Sequence, residues 1–303
     1  MRFGAGMELP VRAPFRLDLT VDALRRLATN AVDVVGPEGT FYRAVRDARG
    51  SALLAIRSAG PRSVEVRATG RDARRWLPLV ERMLGTETDL RDWYERSARI
   101  DWLRPLAATL RGVKPPRYPS LWEACAHAVV FAQISIHAAS AIMRRLVERL
   151  AEPVTAGGIR AWIFPEPARW LAAPDAALRE AGLSQNKIRN VRSIATALSD
   201  GTLSERALNL LPTPAAAEAL VGVRGIGPWS ASVVLLRGLG RLDTFPLRDS
   251  GVARSVALIA GTSVDLDAVL DILGPTRGML YFHLLLGRLH HAPPTAGGKD
   301  RTG

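Results

Sequence analysis

Apolar positions change their spacing along the chain, and the change predicts two kinds of structure. Over residues 41–46, 53–57 and 64–67 they come in short runs separated by turn signals at Arg49-Gly50-Ser51 and Ala59-Gly60-Pro61, which predicts three strands. The alternation of Phe15, Leu17 and Leu19 predicts a further strand, followed by a short helix over 21–28 with Leu24 and Leu27 on one face, while residues 1–13 read as a loose lead-in. Trp76, Leu77, Val80 and Leu84 then mark an amphipathic helix. Strand, helix, meander and helix make a small α+β layer. No chemistry is read into residues 1–100, whose arginines fit a solvated face.

Beyond residue 90 the spacing becomes helical. Segments 90–100 and 102–110 precede the proline-rich connector Lys114-Pro115-Pro116-Arg117-Tyr118-Pro119. Ser120 with Glu123 forms a capping box that starts a helix running to a bend near Phe131-Ala132-Gln133-Ile134-Ser135, and a second helix covers about 137–150. Phe164-Pro165-Glu166-Pro167 opens another helical segment; Gly182 reads as a C-cap, Ser184 as an N-cap, and Lys187, Ile188, Val191, Ile194 and Leu198 follow at helical spacing. Apolar helical runs recur over 252–259 and 276–290. The predicted fold is mainly α with a small N-terminal α+β domain: an antiparallel sheet unit at 1–100, a helical domain at 101–292 and a flexible tail at 293–303.

Composition narrows the partner. The chain of 303 residues carries 41 basic and 29 acidic side chains, net +12, and every basic residue except Lys114, Lys187 and Lys299 is arginine. That surplus favours a polyanion, nucleic acid first and an anionic membrane surface second. No apolar run of membrane-spanning length and no signal-peptide core occurs, so a cytoplasmic protein without a membrane partner is expected. A single cysteine, Cys125, excludes an intramolecular disulfide and a four-cysteine iron–sulfur cluster, and no Cys/His spacing suits zinc, so neither metal nor cofactor is expected.

The chemistry concentrates in residues 220–254. A helical run ends in Gly225-Ile226-Gly227, and Pro228 follows where the first helical position tolerates a missing N–H. This is a helix-hairpin-helix pattern, in which two glycines let the backbone approach a phosphate and the N–H groups of the next helix face the anion. Asp249 follows the second glycine by 22 residues (249 − 227) and precedes another helical run. Taken alone, Gly-Ile-Gly is a common helix–helix turn, and Asp249 is as readable as an N-cap.

In combination these segments resemble the helix-hairpin-helix DNA glycosylases. The order of hairpin, Asp249 and Arg277-Gly278-Met279-Leu280-Tyr281-Phe282-His283 is similar to that of the 3-methyladenine DNA glycosylase II branch. Gln133-Ile134-Ser135 and Ala181-Gly182-Leu183-Ser184 with Lys187 match it upstream, although Phe131 and Ala132 replace a glycine and a glutamine. The resemblance implies a monomeric enzyme of the nucleoid that binds double-stranded DNA and flips out alkylated bases of the 3-methyladenine and 7-methylguanine type. It makes Asp249 the catalytic carboxylate and gives the DNA contacts to Arg224, Gly225, Ile226, Gly227 and Ser230. Gln133 is then the wedge that fills the vacated stack, or else only a helix cap. Trp229 takes the position of a pocket aromatic, whereas Val233 and Leu285 stand where a tyrosine and a second tryptophan are expected; Phe245, Tyr281 and Phe282 are candidate substitutes. His283 reads as a core histidine. A monovalent cation at the hairpin is the one ion that the resemblance leaves open. Members that form a Schiff base carry a lysine two residues after the second glycine; here that position is Trp229, so base release with an intact abasic strand is expected. The alternatives are a non-catalytic DNA- or damage-binding protein, a glycosylase for another modified base, and an arginine-rich structural protein.

Overall fold

A computed structural model describes residues 2–70, 72–261 and 264–291; the expected tail at 293–303 lies outside them. Five strands, β1 (Met7–Pro10), β2 (Asp33–Val35), β3 (Phe41–Asp47), β4 (Gly50–Gly60) and β5 (Ser63–Ala68), form an antiparallel sheet in the order β1-β5-β4-β3-β2. The three expected central strands are present, but two features around them differ. The lead-in holds β1, whose Met7 and Leu9 pair with Val66 and Val64. Residues 17–25 form helix α1 (Leu17–Arg25) rather than a strand. Its Leu17, Val21 and Leu24 enter the core under the sheet, while Leu19 and Ala23 enter a second core among the C-terminal helices. Its polar stripe, Asp18, Asp22 and Arg25 at i, i+4 and i+7, keeps the helical period, but Phe15, Leu17 and Leu19 at its start imitate alternation.

The remaining helices are α2 (Leu77–Leu84), α3 (Arg91–Ser97), α4 (Leu103–Thr109), α5 (Leu121–Phe131), α6 (Ile136–Leu150), α7 (Pro167–Ala172), α8 (Asp175–Glu180), α9 (Gln185–Ser199), α10 (Glu205–Leu210), α11 (Thr213–Val221), α12 (Pro228–Val234), α13 (Ser250–Ala260), α14 (Leu266–Leu273) and α15 (Gly278–His291). The fold is therefore mostly helical with a small N-terminal sheet. A hairpin that sequence reading passed over, β6 (Pro153–Ala156) and β7 (Ile159–Trp162), turns through Gly157 and Gly158, both at positive φ (57° and 78°). It covers the sheet with Val154, Ala156 and Ala161 against Ala44 and Leu53. None of the described helices is long and apolar enough to cross a membrane.

Helix α5 is the axis that carries the site. Every residue from 121 to 130 is buried, so it packs on all sides. The Ser120 side chain accepts from the Glu123 N–H at its start, and the Glu123 carboxylate reaches Arg43 of β3 at 2.6 Å, with Asp33 on the other guanidinium nitrogen at 2.6 Å. This buried triad ties the helix to the sheet. Losing one member would leave an unpaired buried charge, a cost of about 3–5 kcal/mol.

Candidate active site

The hairpin consists of α11, a turn over 222–227, and α12. Gly225 has φ +97°, and a Cβ there would lie 2.5 Å from the Cβ of Asn190 on α9, so conformation and packing both require glycine. Gly227 differs. Its backbone is extended (φ −89°, ψ 176°), and a Cβ would meet nothing within 4 Å. The open space beside Gly227 faces outward, and no side chain caps the opening turn of α12, which begins with Pro228. Its N–H groups remain for an external acceptor. A π-helical turn, 235–239, continues α12 and brings Arg237 to the end of α1, where it donates to the carbonyls of Ala23 and Leu24 at 2.9 Å each.

Asp249 lies at the N-terminus of α13 and is half-buried. Its Oδ1 accepts the N–H groups of Gly251 (2.6 Å) and Val252 (3.1 Å), and its Oδ2 accepts the indole N–H of Trp229 (2.9 Å). The carboxylate does cap the helix, with one oxygen only; the other is held from the hairpin side. Arg288 of α15 approaches the same point, since its Nη1 and Asp249 Oδ1 each lie 2.9 Å from where a Gly251 side chain would begin. Neighbouring Arg248 is exposed.

Asp249 and Trp229 open onto a cavity of about 600 Å³, within the ~300–1,000 Å³ typical of ligand pockets. Gly225, Gly227, Pro228 and Ser230 line it from the hairpin; Tyr281, Leu284, Leu285 and Arg288 from α15; and Phe131, Ala132, Gln133 and Ile134 from the bend after α5. Of the residues expected from sequence, Gln133, Gly225, Gly227, Trp229, Ser230, Asp249 and Leu285 thus converge on one space. Arg224, Ile226 and Val233 do not. Arg224 is exposed on the outer side of the turn, Ile226 plugs the core beneath it at 4% exposure, and Val233 sits at 1% exposure among core side chains. Phe245 and Phe282 are core residues outside the lining.

The bend that bears Gln133 is anchored by Lys187. Its Nζ donates to the carbonyls of Val130 (2.7 Å) and Ala132 (2.9 Å), satisfying the C-terminal end of α5. Burial pushes this ammonium below its ordinary pKa. Gln133 itself is exposed at φ +60°, with Ile134 exposed beside it. Among the described residues only Arg26, Gln133 and Arg248 are non-glycine residues at positive φ, and all three line this cavity. Strain of about 1–3 kcal/mol at such positions tends to gather where a ligand is met.

Arg26 was not expected here. It follows α1 directly, belongs to the stretch read as devoid of chemistry, and enters the cavity wall at 7% exposure. Its guanidinium lies over the Phe131 ring, 4.3 Å from the centroid. Nothing in the local sequence announces it. His283 is fully buried against Trp93, with Nδ1 donating to the Met279 carbonyl at 2.9 Å, and burial pushes it down to about 4. Among the described residues no cluster of three or more His, Cys, Asp or Glu is placed to hold a metal ion.

Comparison with known proteins agrees with this arrangement. Residues 126–267 match the family model described as HhH-GPD superfamily base excision DNA repair protein. The chain is 26% identical over 183 residues to a DNA-3-methyladenine glycosylase of Bacillus subtilis, covering 60% of each chain. It is 28% identical over 249 residues to a probable bifunctional transcriptional activator/DNA repair enzyme AlkA of Mycobacterium tuberculosis, covering 81% of this chain and 49% of that one. The chain therefore spans about half to three fifths of the length of these curated relatives. Its structure superposes on a 3-methyladenine DNA glycosylase from Archaeoglobus fulgidus with a TM-score of 0.78 and 25% identity, covering 94% of this chain and all of the other. These likenesses support placing the chain with the HhH-GPD superfamily of base excision DNA repair proteins, on its AlkA-like branch.

Proposed function

We propose that this protein is a monofunctional DNA glycosylase that removes alkylated bases from double-stranded DNA. The observation that carries the reading is the convergence on one cavity of a carboxylate, a hairpin with an uncapped helix start and a protruding Gln133. A base inside a duplex cannot be reached at its glycosidic bond, so the nucleotide must rotate out while the backbone is held. Gly227 and the first turn of α12 offer the phosphate contact, and Gln133 with Ile134 projects toward the gap that the base leaves. As the bond between C1′ and the base breaks, its electron pair leaves with the base and the sugar becomes cationic. The Asp249 carboxylate, fixed by three donors, stabilises that charge without having to reorganise. Water then adds to C1′ and passes its proton to the Asp249 carboxylate, leaving an abasic site.

Lys187 supports a hydrolytic outcome. It is the lysine that lines the cavity, and its ammonium is occupied by two carbonyls rather than presented to a sugar. The capping bonds of Asp249 favour one competing reading, a binding protein without turnover. Incubating purified protein with duplexes that each carry one alkylated base separates the two: expected are free base, an intact abasic strand and no borohydride-trapped adduct. Damage-selective binding with no base released from any duplex would establish the competing reading.

A further inference from the structure

We infer that Arg26 contacts the flipped base and takes up the negative charge that a neutral base acquires as it leaves, so that the site favours neutral modified bases over cationic ones. This rests on the glycosylase reading and narrows its substrate. The motivating fact is a buried guanidinium whose hydrogen-bonding capacity is largely unused. Arg26 is 7% exposed, yet the one hydrogen bond of its side chain among the described residues is a long one, Nη2 to the Tyr281 hydroxyl at 3.4 Å, and its Nε has no partner. A guanidinium buried in this way is costly unless an acceptor arrives, and the cavity is where one can arrive.

The position is built rather than accidental. Arg237 holds the last carbonyls of α1, and the chain then turns through φ +64° at Arg26, a conformation that favours glycine; the aromatic face of Phe131 supports the guanidinium from behind. Arg248, Arg254 and Arg288 line the same cavity, where Asp249 is the one carboxylate among the described residues. A ring already carrying a positive charge would meet four guanidinium groups.

Chemistry gives the residue a task. When the C1′–N bond of a cationic alkylpurine breaks, the base departs neutral and needs no help. A neutral base departs with the electron pair as an anion, and a donor on its acceptor edge stabilises that anion until water protonates it. Asp249 serves the sugar in both cases; Arg26 serves only the second.

The test compares duplexes containing hypoxanthine or 1,N6-ethenoadenine, both neutral, with one containing cationic 7-methylguanine, each single-turnover rate being divided by its uncatalysed rate. Arg26→Met is expected to lower the neutral-base values about 10²-fold more than the 7-methylguanine value, with Arg26→Lys recovering part of that difference. Circular dichroism checks the fold of each variant. Should Arg26→Met fail to fold, the wild-type protein decides: uncleavable 2′-fluoro duplexes are expected to bind more tightly with hypoxanthine than with 7-methylguanine. Equal losses on both classes, or equal or reversed binding, overturn the role of Arg26 while leaving the glycosylase intact. No release of any base by the wild type removes the glycosylase reading and this inference with it.

Discussion

Replacing Asp249 with asparagine tests the charge and the cap together, because the structure separates them. All three hydrogen-bond partners of the carboxylate are donors: the N–H groups of Gly251 and Val252 on Oδ1 and the Trp229 indole on Oδ2. Two acceptor oxygens satisfy this; an amide offers one acceptor and one NH2. With the amide carbonyl toward the helix, the NH2 faces the indole N–H; flipped, it faces two backbone donors. The first orientation leaves fewer groups unpaired, and one orphaned, half-buried donor costs about 1–3 kcal/mol. Asparagine otherwise caps as well as aspartate. The variant should therefore fold but melt a few degrees lower.

A second substitution isolates the cause. Trp229→Phe removes the opposing donor, so in the Asp249→Asn background the clash disappears. The double variant should be more stable than the two single losses add to, by about 1 kcal/mol. Activity should behave otherwise. Both chains lack the charge that stabilises the sugar, so excision should fall about 10²-fold or more in each. Urea unfolding followed by circular dichroism measures the first quantity and single-turnover base release the second. If Asp249→Asn excises at nearly the wild-type rate, the carboxylate is a cap and nothing more. Strictly additive stabilities would refute the bonding geometry.

The hairpin glycines should part ways: Gly225→Ala is expected to destabilise by about 1–3 kcal/mol because φ +97° and Asn190 oppose a side chain, whereas Gly227→Ala should change stability by less than about 0.5 kcal/mol. Fluorescence anisotropy should nevertheless show Gly227→Ala weakening duplex binding, with the wild-type affinity falling steeply as salt rises; unchanged affinity would remove Gly227 from the interface. Gln133→Ala, at an exposed residue, should slow excision from fully paired duplex by about 10-fold or more, and less when the base sits opposite a mismatch that has already weakened its pairing; equal slowing on both substrates would exclude a wedge. His283, pushed down to about 4 by burial, stays neutral in the fold while the unfolded chain protonates it near 6.5, so stability should be lost as pH falls from about 6.5 toward 4, by roughly 2 kcal/mol at pH 5. His283→Gln should flatten that part of the pH profile in thermal melts, and an unaltered profile would show that other groups cause it.

What was legible in the sequence follows the range of the interactions involved. Caps that close within one turn are visible: Ser120 and Ser184 accept from the N–H groups of Glu123 and Lys187, each three residues on, whereas at the bend Ser135 rather than Gln133 caps α6. The hairpin glycines were legible for the same reason, though only the structure shows that one serves packing and the other leaves open space. The Gly157-Gly158 hairpin was readable too, since two glycines between Val154/Ala156 and Ile159/Ala161 are a type I′ turn signal; helical expectation for the surrounding chain hid it. At α1 the polar stripe Asp18, Asp22 and Arg25 stood in the sequence at helical spacing, but the alternation of Phe15, Leu17 and Leu19 at its start masked it.

The site itself depends on contacts that no local pattern encodes. Trp229 lines the cavity, and its indole N–H is committed to Asp249, 20 residues later, a meeting that depends on the path of the chain through the π-helical turn after α12. Its ring orientation is thus tied to the carboxylate, and a substitution there disturbs both. Arg26 enters the cavity next to the end of α1, whose Ala23 and Leu24 carbonyls accept from Arg237, more than 200 residues away. Positive φ is read from sequence by looking for glycine or asparagine, so an arginine and a glutamine in that conformation leave no trace. A residue that adopts an unfavourable backbone without the usual side chain must be held there by its surroundings. At Arg26 the support is visible in Arg237 and Phe131, and at Gln133 in the grip of Lys187 on the preceding carbonyls. The same contacts that hold the strain aim both side chains at the cavity, which is why the least legible positions of this chain are the ones that shape its site.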